Sequence, residues 1–284
     1  MKKQSYVPVA ENISAAHSRI AHEYAGGIGS GVYYYKDSEH AHRRWEGRMF
    51  DKIFSSIFSE IQLPKSASFL DAGCGNGQWM EYFARKHGFS NFTAVDFSEP
   101  MLECARERMS SIPVAVEYIK SNLESLDSIE SGSIDIIHMF GATEHLEHPD
   151  IVIQEFHRIL RNNGHLIINC PIRFSMCYFS FVLFGLSPEY WGLKPTWRRK
   201  LDFKSKMAHY RSYSKRQLGH WLSGRFEIRQ RHNGSFSYAA SYPGLLYKFI
   251  PAVSFVLQDF YDFVCRIIFL NHPAGVYWLA RKTP

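Results

Sequence analysis

Cysteine is scarce in this chain of 284 residues, and its five cysteines have no regular spacing. Metal sites and disulfide frameworks need paired spacings, so we expect free thiols in a reducing cytoplasm. The charged residues at positions 1–4 precede no apolar run, and a secretory signal is therefore not expected. Together these absences favour a cytoplasmic location.

Uncharged apolar runs long enough to cross a bilayer are also absent. Residues 174–186 are almost wholly apolar, but they are too few to span a membrane. Residues 245–270 are interrupted by a proline and by charged residues, which predicts one or two amphipathic helices instead. Three alternatives stay open for their apolar face: a cap that packs on the protein itself, a homodimer interface, and a peripheral membrane contact.

Acidic residues are fewer than basic ones, at 27 against 33. The excess of positive charge is concentrated in residues 194–216, here called the basic segment, where Asp202 is the single acidic residue. Such a segment favours contact with an anionic surface, either the phosphates of a nucleic acid or the headgroups of a membrane.

Residues 69–77, Phe-Leu-Asp-Ala-Gly-Cys-Gly-Asn-Gly, carry the strongest functional signal. The apolar run ending in Asp71 predicts a buried strand, and the three alternate glycines let the backbone turn tightly and approach a ligand. A helical pattern follows over Gln78–His87, as in nucleotide-binding folds. However, Gln78 stands where a dinucleotide fingerprint needs glycine, and no Gly-Lys-Ser/Thr follows. An acid before the loop suits a cationic ligand that carries an amino group and a sulfonium.

Three further segments follow in order. Asp96 ends a second apolar run about 20 positions after the loop, where α/β nucleotide sites place a carboxylate that binds the ribose. Ser98 is the predicted N-cap of the next helix. A third predicted strand at 114–119 leads to Asn122. Residues 134–149, Ile-Asp-Ile-Ile-His-Met-Phe-Gly-Ala-Thr-Glu-His-Leu-Glu-His-Pro, predict a fourth strand followed by a polar loop.

These four segments resemble the motifs of class I S-adenosylmethionine-dependent methyltransferases. They are most similar to the small-molecule branch, which includes quinone-biosynthesis methyltransferases and methyltransferase types 11 and 23. The resemblance covers residues 66–170. It implies an α/β fold with a Rossmann-like seven-stranded sheet and helices on both faces, to which this chain adds helical insertions that form a cap. It also implies S-adenosylmethionine as cofactor, S-adenosylhomocysteine as product, no metal, and a small-molecule acceptor.

The resemblance also implies which residues contact the cofactor. They are Asp71, Gly73, Cys74, Gly75, Gly77, Asp96, Phe97, Met101, Asn122, Leu123 and Phe140. Asn122 departs from the family pattern, which usually has an aspartate that reaches the adenine amino group. An asparagine amide oxygen can still accept that hydrogen bond.

Transfer to a hydroxyl acceptor benefits from a general base, and histidine titrates near neutrality. His145, after the fourth strand, is the first candidate, with structural packing beside the cofactor as the open alternative. His209 is the second, because residues 209–214 resemble a His-x-Arg-x-Tyr-Ser/Thr segment of this branch. The resemblance implies that Arg211 and Tyr213 contact the acceptor, while Ser214 is a predicted helix N-cap.

The expected organisation has four parts. These are an N-terminal helical lid at residues 1–63 with a helix over 39–58, a cofactor-binding core at 64–170, a substrate-cap insertion at 171–213, and the rest of the core at 214–284 with a helical insertion at about 233–272. Insertions at the ligand edge of the sheet shape the substrate site. Their apolar composition favours a large or amphiphilic acceptor: a lipid-linked sugar, a quinone-like precursor or a hydrophobic metabolite.

Two other function classes fit parts of the sequence. A methyltransferase acting on RNA or another nucleic acid would use the basic segment. However, residues 139–142, Met-Phe-Gly-Ala, lack the Asn/Asp-Pro-Pro-aromatic motif of adenine N-methylases, so a nucleic-acid partner is not expected. The other class is a non-catalytic S-adenosylmethionine-binding protein, because the glycine loop argues for binding rather than turnover.

Overall fold

The computed structural model describes residues 41–175, 211–234, 251–269 and 272–284. The helices and strands, in chain order, are α1 (Ala41–Glu60), β1 (Phe69–Ala72), α2 (Gln78–His87), β2 (Asn91–Asp96), α3 (Glu99–Met109), β3 (Ala115–Lys120), β4 (Ile134–Met139), α4 (Pro149–Ile159), β5 (Leu160–Pro171), α5 (Lys215–Leu222), β6 (Phe226–Asn233), α6 (Pro251–Phe269) and β7 (Gly275–Lys282).

The seven strands form one sheet in the order β3-β2-β1-β4-β5-β7-β6. Strands β1 to β5 pair in parallel, whereas β7 runs antiparallel to both of its neighbours, β5 and β6. The parallel strands therefore end at one common edge, here called the carboxyl edge, where open α/β sheets bind ligands. The predicted seven-stranded Rossmann-like sheet is confirmed.

A hydrophobic core lies on each face of this sheet. Successive residues of β1 point to opposite faces, so Phe69 packs with residues of α1, α2 and α3, while Leu70 packs with residues of α4 and α5. Helices thus cover both faces, as the sequence predicts.

Helix α1 is the described part of the predicted N-terminal lid, and it packs into a core. Phe54 and Ile57 are fully buried, and the Phe54 ring lies 5.3 Å from that of Trp79 on α2. At its other end, Trp45 donates a hydrogen bond of 2.6 Å from Nε1 to Asp259 on α6. The apolar face of α1 therefore stabilises the same face of the sheet that carries the glycine loop.

The N-termini of helices α5 and α3 are each fixed by residues that are close to them in the sequence. Ser214 and Gln217 form a reciprocal capping box at α5, which confirms the predicted N-cap. Ser98 is the N-cap of α3, also as predicted, but its hydroxyl makes no capping bond. Instead the Asp96 carboxylate accepts the Ser98 N–H at 2.9 Å, so the acid that ends β2 also fixes the start of α3.

Both insertions leave and re-enter the core at the carboxyl edge. For the first, the Tyr213 N–H donates to the Pro171 carbonyl at 3.0 Å, and Ile172 forms an isolated bridge with Tyr213. For the second, the Gly234 N–H donates to the Gly275 carbonyl at 2.8 Å, and Gly275 lies opposite Pro171 in the sheet. The apolar run beyond residue 175 and the basic segment before residue 211 lie outside the described residues.

Helix α6 occupies the predicted helical insertion between β6 and β7. Asp262 and Cys265 are buried, whereas Val256, Phe260 and Phe263 are more than half exposed. Within the described ranges, no helix is both long enough and apolar enough to cross a membrane.

Candidate active site

The glycine loop between β1 and α2 is held by the neighbouring strand. The N–H groups of Gly73 and Cys74 both donate to the carbonyl of Val95, at 2.8 and 2.9 Å. Gly73, Gly75 and Gly77 have φ angles of 71°, 52° and 76°, a left-handed region that disfavours residues with a Cβ atom. The predicted tight turn is therefore confirmed.

The three glycines differ in the space around them. A Cβ at Gly73 would lie 2.8 Å from the Cβ of Ala142, and a Cβ at Gly77 would lie 3.1 Å from the Cβ of Ala105. A Cβ at Gly75 would meet no atom of the described residues within 4 Å. Gly75 is thus an open backbone cradle that a ligand can approach to contact distance.

Asp96 joins this cradle to the next helix. Its Oδ2 accepts the Gly75 N–H and its Oδ1 accepts the Ser98 N–H, each at 2.9 Å. Burial raises the pKa of Asp96, and these backbone N–H groups act in the opposite direction. Each carboxylate oxygen has a further acceptor position, so Asp96 can hold the loop and still accept a ligand hydroxyl.

Asp71, the acid before the loop, is paired with a histidine. Its Oδ1 lies 2.8 Å from Nδ1 of His138, which stands directly opposite on β4. Both residues are 1% exposed. The Oδ2 atom of Asp71 is also buried and has no hydrogen-bond partner within the described part of the chain. Because an unsatisfied buried acceptor costs free energy, this atom suits an N–H donor from a ligand.

The segment after β4 is a single 3₁₀ turn, Thr143–His145. The Thr143 hydroxyl donates to the Asn169 carbonyl at 2.9 Å, which ties the turn to β5. The Asn169 side chain in turn donates to the Val276 carbonyl on β7 at 3.2 Å. This turn is therefore fixed to two neighbouring strands at the carboxyl edge.

Arg211 and Tyr213, the predicted acceptor contacts, also hold this turn. The Arg211 N–H donates to the Glu144 carbonyl at 2.9 Å, and its guanidinium donates to the Leu146 carbonyl. The Tyr213 hydroxyl donates to the Thr143 carbonyl at 3.3 Å, and burial raises the Tyr213 pKa to about 12. Both residues thus lie beside the loop after β4, and their contact with an acceptor stays a prediction.

Of the two predicted general bases, His145 is described and His209 lies outside the described residues. His145 is half-buried at the end of the 3₁₀ turn, and its backbone N–H donates to the Ala142 carbonyl at 3.0 Å. Ala142 itself packs against Gly73, so the turn borders the glycine loop. Burial raises the pKa of the adjacent Glu144. The catalytic role of either histidine stays a prediction.

The remaining predicted cofactor residues line the same edge. Leu123 is buried, with a side-chain atom 4.0 Å from a Cβ built on Gly73. Phe140 is half-buried and stacks on Tyr277, with ring centroids 5.6 Å apart. Asn122 accepts the Glu124 N–H through Oδ1 at 3.1 Å, which uses one acceptor position of its amide oxygen.

Three more of these residues lie on the loop and at the start of α3. Burial, and then the carboxylates of Asp96 and Asp71, raise the pKa of Cys74, so its thiol remains neutral. Phe97, the residue after Asp96, and Met101, in the first turn of α3, are both half-buried.

Sequence reasoning missed two residues of this site, His138 and Asn169. Each is polar and directly follows a short apolar run of its strand, residues 136–137 before His138 and residues 166–168 before Asn169, and that change of polarity is the signal that the sequence contains. Their partners are far away along the chain, however, since His138 contacts Asp71 and Asn169 contacts Thr143 and Val276. Among the described side chains, no group of three or more His, Cys, Asp or Glu residues could hold a metal ion.

The strand order, the glycine loop and the acid after β2 together define a class I methyltransferase fold. Residues 70–168 match the family model described as a methyltransferase domain.

A curated relative is the mitochondrial ubiquinone biosynthesis O-methyltransferase of Candida albicans, which is 29% identical over 127 residues, covering 44% of this chain and 39% of that protein. The chain spans less than half the length of the curated relatives that it matches first.

Solved structures share the fold at low sequence identity. Phosphoethanolamine N-methyltransferase 2 of Haemonchus contortus, solved with S-adenosylmethionine, matches with a TM-score of 0.62 at 14% identity, over 99% of this chain and 61% of that one. The [4+2]-cyclase SpnF matches with a TM-score of 0.61 at 17% identity, over 98% of both chains. Since these two proteins have different named reactions, the fold alone does not determine the reaction.

Proposed function

We propose that this chain transfers the methyl group of S-adenosylmethionine to a small-molecule acceptor at the carboxyl edge of its sheet. One observation carries this proposal: the open cradle at Gly75 is tied to the buried carboxylate of Asp96. The open glycine backbone gives room for the extended part of a nucleoside ligand. The carboxylate beside it can accept hydrogen bonds from the ribose hydroxyls of that ligand.

The residues present fit the cofactor at several points. The Asp71 Oδ2 atom, which has no partner among the described residues, would accept the ammonium of the methionine moiety, and Asp96 would accept the ribose hydroxyls. Asn122 would face the adenine amino group. Close approach of the backbone to the cofactor would come from the loop residues Gly73, Cys74 and Gly77. Apolar walls would come from the side chains of Phe97, Met101, Leu123 and Phe140. Bound there, the cofactor supplies an already activated methyl group.

The protein's own part in the reaction is to align the acceptor and to exclude water. The turn Thr143–His145 borders the glycine loop, and hydrogen bonds join it to two other segments of the chain, β5 and residues 211–213. In this proposal His145 or His209 removes the acceptor proton, and Arg211 and Tyr213 hold the loop that positions the acceptor. A rigid turn at this place would keep the acceptor atom in line with the methyl group.

The acceptor class that we propose is large or amphiphilic. The two insertions, which form the substrate cap in this proposal, both begin and end at the carboxyl edge, beside the Pro171 and Gly275 pair. The sequence of the first insertion begins with an apolar run. The Candida albicans relative is named as a ubiquinone biosynthesis O-methyltransferase, and that name is in keeping with a quinone-like acceptor.

The proposal is tested by transfer of a labelled methyl group from S-adenosylmethionine into fractionated cell extract. Asp96→Ala serves as the blank. Asp135→Ala is the matched control, because Asp135 also accepts a backbone N–H at 2.9 Å but lies at the opposite edge of the sheet. We expect label in the organic-extractable fraction with the wild type and the control, and none with the blank. Label confined to nucleic acid would favour the basic segment as acceptor contact, and binding without transfer would favour a non-catalytic binding protein.

A further inference from the structure

The side chains of Asp71 and His138 form a buried pair at the carboxyl edge of the sheet. The two residues are direct neighbours on β1 and β4, and their side chains meet at 2.8 Å between Oδ1 and Nδ1. An ionised carboxylate only accepts hydrogen bonds, so Nδ1 of His138 is the donor. The histidine therefore occupies one of the two oxygens of Asp71 and leaves the other oxygen, Oδ2, for a different donor.

The histidine ring is fixed in place by aromatic neighbours. The ring of Phe83 meets it edge-on, with centroids 4.8 Å apart, and the Phe140 ring lies nearly parallel to it at 6.2 Å. The rings of Phe54 and Trp79 lie at 5.9 and 5.6 Å. In such an apolar enclosure the ring has little freedom to rotate, so the hydrogen bond to Asp71 has a fixed direction.

The orientation of the Asp71 carboxylate follows from this fixed bond. Its Oδ2 atom is buried and has no partner within the described residues, and Asp71 lies two positions before Gly73. Without a donor at Oδ1, the same enclosure would hold a buried carboxylate with neither oxygen satisfied.

We propose that His138 is a positioning residue for the cofactor, which orients Asp71 so that Oδ2 receives the ammonium group of the methionine moiety. This inference rests on the proposed function, since it concerns the same cofactor. It adds a residue to the site and assigns it to one part of the ligand. The amino-acid end of the cofactor depends on His138, whereas the adenosine end depends on Asp96 and the segments around it.

The test compares ligands that differ in that amino-acid end. S-adenosylmethionine and S-adenosylhomocysteine carry the ammonium, whereas 5′-methylthioadenosine lacks the whole amino-acid end. Calorimetric titrations with His138→Phe, which removes the donor, should show at least about a tenfold loss of affinity for the first two ligands. The affinity for 5′-methylthioadenosine should stay within about twofold of that of the wild type.

Two further variants separate positioning from structural support. His138→Asn retains an N–H donor near the position of Nδ1, so it should restore most of the lost affinity. His165→Phe is the matched control, because His165 is a second histidine of the sheet, on β5 opposite Ile136, and it should leave all three affinities unchanged.

Equal losses for all three ligands, or no loss for any of them, would overturn the inference. If His138→Phe does not fold, the Asp71→Asn variant is measured instead. This variant keeps a polar contact with His138 and removes the negative charge of the carboxylate. That variant should lower the affinity for S-adenosylmethionine selectively, and an unchanged ratio of affinities would overturn the inference. If the wild type binds none of the three ligands, the proposed function itself is contradicted. If the wild type binds and methylates, and His138→Phe binds equally well, only the role of His138 is contradicted.

Discussion

Gly75→Ala separates the backbone role of the glycine loop from its role in binding. Gly75 has a φ of 52°, and an added Cβ would meet no atom within 4 Å in the part of the chain that the structure describes. The substitution should therefore cost only the strain of a left-handed alanine, about 1 kcal/mol of the free energy of unfolding. For a domain of this size that corresponds to a decrease in Tm of about 2–4 °C.

Gly132→Ala is a matched control for this strain. Gly132 has a φ of 67° and the same open space, but it lies in the turn before β4, away from the carboxyl edge. Both variants should show the same small decrease in Tm by circular dichroism. In calorimetric titrations with S-adenosylhomocysteine, however, Gly75→Ala should lose at least about tenfold in affinity, because its methyl group enters the cradle. Wild-type affinity in Gly75→Ala, or an equal loss of affinity in Gly132→Ala, would show that the cofactor does not occupy the cradle at Gly75.

Three other substitutions test the packing and electrostatics around the site. Phe54→Ala removes a fully buried ring and should lower the free energy of unfolding by about 3–5 kcal/mol in urea denaturation, whereas Ile151→Ala, at an exposed position, should change it little. Burial, together with the charges of Lys65 and Lys86, lowers the His87 pKa to about 4. Between pH 6.5 and 4 the unfolded chain thus binds a proton that the folded chain does not, and stability falls as the pH is lowered through this range. In His87→Phe this pH dependence should become flatter, and an unchanged slope would contradict the assignment. Tyr213→Phe should cost about 1 kcal/mol by removing the hydrogen bond to Thr143, as measured by urea denaturation.

The sequence predicted those parts of the fold whose determinants are local. The glycine loop, the limits of α2 and the capping residue Ser214 depend on neighbouring residues, and the structure confirms them. The bounds of strand β5, Leu160–Pro171, depend on distant residues. The strand pairs with β4 at Leu160 and with β7 at Pro171, and no local pattern contains that information.

Contacts between distant segments were beyond sequence reasoning in the site as well. His138 was missed because its partner, Asp71, is brought opposite to it only by the register of β1 and β4. Arg211 and Tyr213 were assigned to an acceptor from their motif alone, and the structure shows in addition that both hold the loop after β4. Residue type indicated the region of the site, whereas the pairing of strands determined which atoms meet there.

A calorimetric titration of the wild-type chain with S-adenosylmethionine tests whether the carboxyl edge of the sheet binds this cofactor. We expect one site per chain with a Kd in the micromolar range, about 100-fold weaker in Asp96→Ala and unchanged in Asp135→Ala. Absence of binding to the wild type, or equal weakening by the two substitutions, would contradict the account.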